Sequence, residues 1–155
     1  MRMSDFVVRE AISAQLTASQ KEAVIREMVD NLRAAGFFKG SEPEDVVKAI
    51  LKREMLSSTG IGEGVAIPHA KHGSVDRLVG AVAVAPSGVA FDSVDNNPVF
   101  VLFMLISPQE RPSEHLRALE SVSRCLKDKN FVQSLKEAKS PQQIWDLICN
   151  HERGA

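Results

Sequence analysis

Two uninterrupted apolar runs, Leu78–Ala85 (Leu-Val-Gly-Ala-Val-Ala-Val-Ala) and Val99–Ile106 (Val-Phe-Val-Leu-Phe-Met-Leu-Ile), limit the folds open to this chain. Each has the length of a strand, and turn formers bound them: Pro86-Ser-Gly88, Asn96-Asn-Pro98 and Ser107-Pro108. A strand wetted on one side alternates apolar with polar residues. These do not alternate, so both are expected at the centre of a sheet covered on both faces.

Helical patterns supply the cover. Ser19-Gln-Lys-Glu22 has the form of a capping box, and Ile25, Met28, Val29 and Leu32 follow at helical spacing before Gly36. Ser41-Glu-Pro-Glu44 repeats the device ahead of Val46, Val47, Ile50 and Leu51, in a helix expected to reach about Leu56. In the last third, Leu116, Leu119, Val122 and Leu126 keep helical period and Phe131–Ala138 forms a short segment. Ser140-Pro-Gln-Gln143 then caps a helix carrying Ile144, Trp145, Leu147 and Ile148. Gln15–Thr17, Val65–Ile67 and Val89–Phe91 are shorter strand candidates that periodicity alone does not secure. The order helix, strand, helix implies an α/β fold, and 155 residues fit one domain, 1–155.

The 19 basic residues are matched by 20 acidic ones, for a net charge of −1, which argues against a nucleic-acid binder. The N-terminus lacks the apolar core of a signal peptide and no run approaches the ~20 apolar residues of a membrane span, so a cytoplasmic protein without membrane insertion is expected. Cys125 and Cys149 lie in apolar helical patterns without C-x-x-C spacing and read as buried free thiols.

Chemistry concentrates in Thr59-Gly-Ile-Gly-Glu-Gly-Val-Ala-Ile-Pro-His-Ala-Lys-His72. Alternate glycines at Gly60, Gly62 and Gly64 permit positive φ and close approach of backbone amides to a ligand, while Pro68 stiffens the stem that carries His69. Neither nucleotide fingerprint fits: the glycines follow a helix instead of a strand, and no G-x-x-x-x-G-K-[ST] occurs. A neutral imidazole is a nucleophile that titrates near neutrality, suited to accepting and releasing a phosphoryl group. Such a site needs a cation and N–H donors. Arg53 falls on the apolar stripe of the second helix, which suits either an anion ligand or a structural pair with Glu54 or another carboxylate. His115, in the first turn of a later helix, is either a packed core residue or a neutral N–H donor at a phosphate-favouring helix end. Thr59 either binds phosphate or caps the loop. His72 sits three residues past His69, a spacing that invites a metal, but no Cys, Asp or Glu of the loop besides Glu63 is there to complete a ligand set, so no metal site is expected. His151 follows the last helix and meets its dipole or solvent. Ile61, Val65 and Pro68 are candidates for a docking surface.

The Thr59–His72 string resembles the active-site histidine motif of type-2 enzyme IIA domains (fructose, mannitol and nitrogen-regulatory branches) of the bacterial phosphoenolpyruvate-dependent phosphotransferase system. Arg53-Glu54 matches that family's arginine-glutamate pair, and His115-Leu-Arg-Ala-Leu119 its second histidine segment. The resemblance spans roughly Val8–Cys149. It implies a mixed, mostly parallel sheet of about five strands flanked by helices on both faces. It also implies catalysis by His69 as phosphoacceptor with Arg53 and His115, and a phosphate site at Thr59, Gly60, Gly62 and Gly64. Neither cofactor nor metal is expected. The implied donor is an HPr-type phosphocarrier protein, and the implied recipients are a IIB domain or regulatory targets. A free-standing single domain favours nitrogen-type regulation over fructose- or mannitol-type transport, and a non-catalytic regulatory binding domain is the third reading.

Overall fold

The computed structural model describes residues 1–38 and 42–153. Helices α1 (Lys21–Ala34) and α2 (Pro43–Leu56) precede three short strands, β1 (Gly60–Gly62), β2 (Val65–Ala66) and β3 (His69–Lys71). Two long strands follow, β4 (Val79–Val89) and β5 (Val99–Ser107), and then α3 (Pro112–Leu126), α4 (Lys129–Glu137) and α5 (Pro141–Arg153).

The two apolar runs form the central pair, β4 against β5. On the other edge of β5 lie β2 and then β3, both parallel to it, with β1 antiparallel to β2. The five-strand mixed sheet is as expected, but its parallel share is smaller: β1–β2 and the longest ladder, β4–β5, are antiparallel. The cause is the short Ala90–Pro98 connection, which leaves no room for the helical crossover that a parallel pair needs. Pro86-Ser-Gly88, expected as a turn, lies inside β4 where the register shifts between Val84 and Val89; proline without an N–H is tolerated at such a bulge. Gln15–Thr17 is not a strand. It belongs to an N-terminal segment that touches β4 through single parallel bridges at Val7 and Ser13, and the residue after β4, Ala90, through one at Gln20, covering an edge that would otherwise stand open.

That segment also explains the start of α1. Ser19 lends its carbonyl to the amide of Ala90 (3.1 Å) and Gln20 takes the cap position without a side-chain hydrogen bond, so the anticipated capping box does not form. Ser41 lies outside the described residues. Ser140 accepts the amide of Gln143 as anticipated (3.2 Å). Asp128 caps α4 by accepting the amides of Asn130 and Phe131, and so starts that helix ahead of the expected Phe131.

Side chains alternate across the sheet into two cores. Leu102, Met104 and Ile106 of β5, with Ala81, Ala83 and Ala85 of β4, pack under α1 and α2; Val101, Phe103 and Leu105, with Val82 and Val84, pack under α3, α4 and α5. Helices therefore cover both faces, as the unbroken apolar strands require. Cys125 and Cys149 are free and only half-buried, less enclosed than expected.

Candidate active site

β2 and β3 are one strand interrupted. Val65 pairs with Val101 and His69 with Leu105, so the register along β5 is the same on both sides of Pro68. Pro68 has no N–H for the ladder, but its carbonyl accepts the amide of Leu105 (3.0 Å) and the alternation of faces carries through. Val65 and Ile67 enter the core under α3–α5, and His69 follows them onto the same face, half-buried. Its Nδ1 lies 2.7 Å from the carbonyl oxygen of Ile67. A carbonyl only accepts, so Nδ1 carries the hydrogen and donates it, and Nε2 keeps its lone pair. Burial holds the imidazole below the usual histidine range; the Ile67 carbonyl opposes this, and the Arg53 guanidinium adds to it. The ring is therefore neutral near pH 7.

His115 sits on the first turn of α3, 5 % exposed, its ring centre 5.4 Å from that of His69. Burial first, then His69 and Lys71, push it down to about 4. Its Nδ1 is hydrogen-bonded to the hydroxyl of Ser107, a fully buried residue at the end of β5. Arg53, in the last turn of α2, donates from Nη1 to the carbonyl of Ser57 (3.0 Å). Among the described residues no carboxylate lies within ion-pair distance of it. The Arg53–Glu54 alternative is not realised: Glu54 is buried, pairs with Lys21 of α1 (3.0 Å), and accepts both the amide and the hydroxyl of Thr59.

Arg53, His69 and His115 meet in one open cleft of about 590 Å³, rimmed by Leu56, Lys71 and Leu116. The carried-over phosphate site does not join them. The hydroxyl of Thr59 is taken by Glu54, and the glycines build the β1–β2 hairpin away from the cleft. Gly60 lies against Ser93, Gly62 at φ +97° against Asp95, and Gly64 at φ +81° against Lys136 and Phe100. The positive φ values serve a tight turn, the alternative use of glycine. Val65 and Pro68 are buried and unavailable for docking, whereas Leu56 and Leu116 are 80 % and 66 % exposed at the cleft. His72 reaches the cleft wall, and its Nδ1 is hydrogen-bonded to Ser74. His151 lies within α5, on Phe131 and beside Asp128 (3.3 Å).

Three contributors were not anticipated. Lys71 follows His69 at strand period and shares its face, a signal that period two carries. Ser107, the register partner of Lys71, had none beyond being the hydroxyl that ends an apolar run. Lys21 reaches Glu54 only through the packing of α1 on α2.

Residues 5–151 match the family model described as phosphoenolpyruvate-dependent sugar phosphotransferase system, EIIA 2. The chain is 37% identical over 99% of its length to the fructose-specific EIIABC component of Bacillus subtilis, of which it spans about a quarter (24%). It is 30% identical over 96% of its length to the nitrogen regulatory protein of Bradyrhizobium diazoefficiens, spanning 95% of that protein. The crystal structure of nitrogen regulatory protein IIA-Ntr from Neisseria meningitidis superposes with a TM-score of 0.85 at 28% identity, covering 94% of this chain and 98% of that one. Enzyme IIA mannitol of Escherichia coli, solved in complex with phosphorylated enzyme IIB mannitol, superposes with a TM-score of 0.76 at 25% identity, covering 91% and 95%. No helix among the described residues is long and apolar enough to cross a membrane. With the fold, the cleft and these matches together, the chain belongs to the EIIA type-2 family of the phosphoenolpyruvate-dependent phosphotransferase system.

Proposed function

We propose that this chain is a cytoplasmic histidine phosphocarrier whose acceptor atom is Nε2 of His69. The observation that carries the reading is the 2.7 Å hydrogen bond from Nδ1 to the Ile67 carbonyl, which leaves the nucleophilic lone pair on Nε2 of a ring that burial keeps neutral. That lone pair attacks the phosphorus of a phosphohistidine on an HPr-type donor. The new N–P bond forms as the donor's N–P bond breaks, and its electron pair returns to the donor's imidazole. The proton on Nδ1 stays in place, and the Ile67 carbonyl stabilises the positive charge that the phosphorylated ring acquires. Arg53, with no carboxylate partner among the described residues, and Lys71 at the rim neutralise the equatorial oxygens. Leu56, Leu116 and the neighbouring Met55, 86 % exposed, give the donor an apolar surface on which to dock.

Of the onward routes, nitrogen-type regulation is favoured by the TM-score of 0.85 to IIA-Ntr, against 0.76 to enzyme IIA mannitol. Transfer to a sugar-specific IIB domain is the second reading, supported by 37% identity to a fructose-specific component.

Incubation with phosphoenolpyruvate, enzyme I and HPr is expected to add one acid-labile phosphate, seen by intact mass and absent from His69→Ala. Undiminished labelling of His69→Ala overturns the assignment. Capture of partners on phosphorylated and unphosphorylated protein then separates the routes: a partner that discriminates between the two forms supports regulation, and rapid discharge onto a IIB protein as sole partner supports transport.

A further inference from the structure

We infer that Ser107 is a positioning residue for phosphoryl transfer: by donating its hydroxyl hydrogen to Nδ1 of His115, it holds that ring with its own hydrogen on Nε2, toward the phosphoryl group on His69. The inference rests on the phosphocarrier reading and names a residue outside the cleft lining.

The direction of the bond follows from counting hydrogens. Ser107 is fully buried, and among the described residues its hydroxyl has one side-chain partner, Nδ1 of His115. If Nδ1 donated, the serine hydrogen would have no acceptor in a dry interior, at the cost of an unmade hydrogen bond. If the serine donates, both groups are satisfied and the single hydrogen of the neutral ring sits on Nε2. That nitrogen also lacks a protein partner. The buried side-chain nitrogens and oxygens without partners among the described residues are Ser93 Oγ and His151 Nδ1, so Nε2 of His115 is open to the cleft that the ring lines.

The geometry sets the two histidines in opposite tautomers. His69 is protonated on Nδ1 and presents a lone pair; His115 is protonated on Nε2 and presents a donor, with ring centres 5.4 Å apart. One supplies the attacking electrons and the other an N–H for an equatorial oxygen as charge gathers there. That hydrogen is shared, not transferred, and no bond to it breaks. Ser107 is well placed to hold this arrangement because it is fixed by the sheet: it pairs with Lys71 across the β3–β5 ladder, and its carbonyl accepts the amide of His72 (2.9 Å). One strand end thus ties together the acceptor's strand and the ring that assists it.

The test is long-range 1H–15N correlation of the imidazoles in the full-length wild type, Ser107→Ala and Ser107→Thr, alongside the rate of phosphorylation by phosphorylated HPr. The wild type is expected to show His115 protonated on Nε2 and His69 on Nδ1. Ser107→Ala should reveal a second His115 species and slow transfer about tenfold at saturating donor, with threonine restoring most of the rate. A wild-type His115 protonated on Nδ1 overturns the proposal whatever the variants do. So does a folded Ser107→Ala that transfers at the wild-type rate. Failure of the wild type to take up phosphate overturns the carrier reading and with it this role, and the tautomer spectra distinguish that failure from a misassigned serine bond.

Discussion

The Gly60–Ala66 hairpin and the cleft that opens at His69 are neighbours in the chain and are built by opposite means. The hairpin is held by what lies next to it: the amide of Glu63 donates to the carboxylate of Asp95 (3.0 Å), the amide of Val94 to the carbonyl of Gly60 (3.1 Å), and Glu63 turns the corner at φ 56°. The cleft instead draws Arg53 from the end of α2, His69 and Lys71 from β3 and His115 from the start of α3, three elements far apart in the chain. The difference teaches that a dense local motif can be architecture, while a site assembled from single residues leaves a faint trace in the sequence. Here both met in one string, whose glycines build a turn while other elements equip the histidine.

This contrast can be broken by substitution. Arg53→Ala is expected to slow phosphorylation of His69 by about 10- to 100-fold at saturating donor, since a fixed cation on the transferring group contributes on that order. Its melting temperature should barely move, because the side chain is half-exposed and its one hydrogen bond among the described residues is to Ser57. A large loss of thermal stability with unaltered kinetics would place Arg53 with the architecture.

Gly60→Ala should invert that pattern. A Cβ there would lie 2.5 Å from Ser93 Oγ and 3.0 Å from its Cα, so backbone must shift, at a cost of about 2 kcal/mol in denaturant unfolding. Transfer by the folded fraction should stay near wild type. A kinetic defect without destabilisation would return the glycine to the site.

The smallest effect expected is on pH. His115 sits at about 4 in the fold against an ordinary value of 6.5, so between those values the unfolded chain binds the extra proton and acid works against folding. Stability should fall as pH drops below about 6.5, by roughly 1 kcal/mol at pH 5.5, with His69 acting in the same direction. His115→Gln should flatten the profile; an unchanged slope would mean that the ring is not held neutral by its surroundings.

The central strands were legible in the sequence because burial on both faces leaves only apolar residues admissible. The parallel share of the sheet was not, since it depends on how the Ala90–Pro98 connection closes and not on the composition of the strands. His69, Arg53 and His115 were found as candidates, each out of place for its type on an apolar face or a stiff stem, and the family resemblance joined them. The glycines misled because positive φ serves a turn as readily as an anion. Lys21 and Glu54, far apart in sequence, meet only after α1 and α2 pack, and a capping box that looked complete at Ser19 lost to a backbone bond with Ala90, just past β4. Such competition between local and tertiary partners is invisible until the partners are placed.

The unbroken register across Pro68 bears on which length changes this chain can tolerate. The hairpin can gain or lose residues at its tip and still deliver Val65 to the same rung of β5. Between Val65 and His69 there is no such slack. One residue added there would turn the imidazole to the α1–α2 side of the sheet, away from Ser107 and His115, while changing little in the overall composition of the strand. Insertions among descendants of this fold should therefore collect at Ile61–Gly64 and spare Val65–His69, giving a spacing of constant length beside a turn of variable length. That pairing of a rigid ruler with an elastic tip is a signature by which a working acceptor strand can be told from one that keeps the histidine and has lost its place.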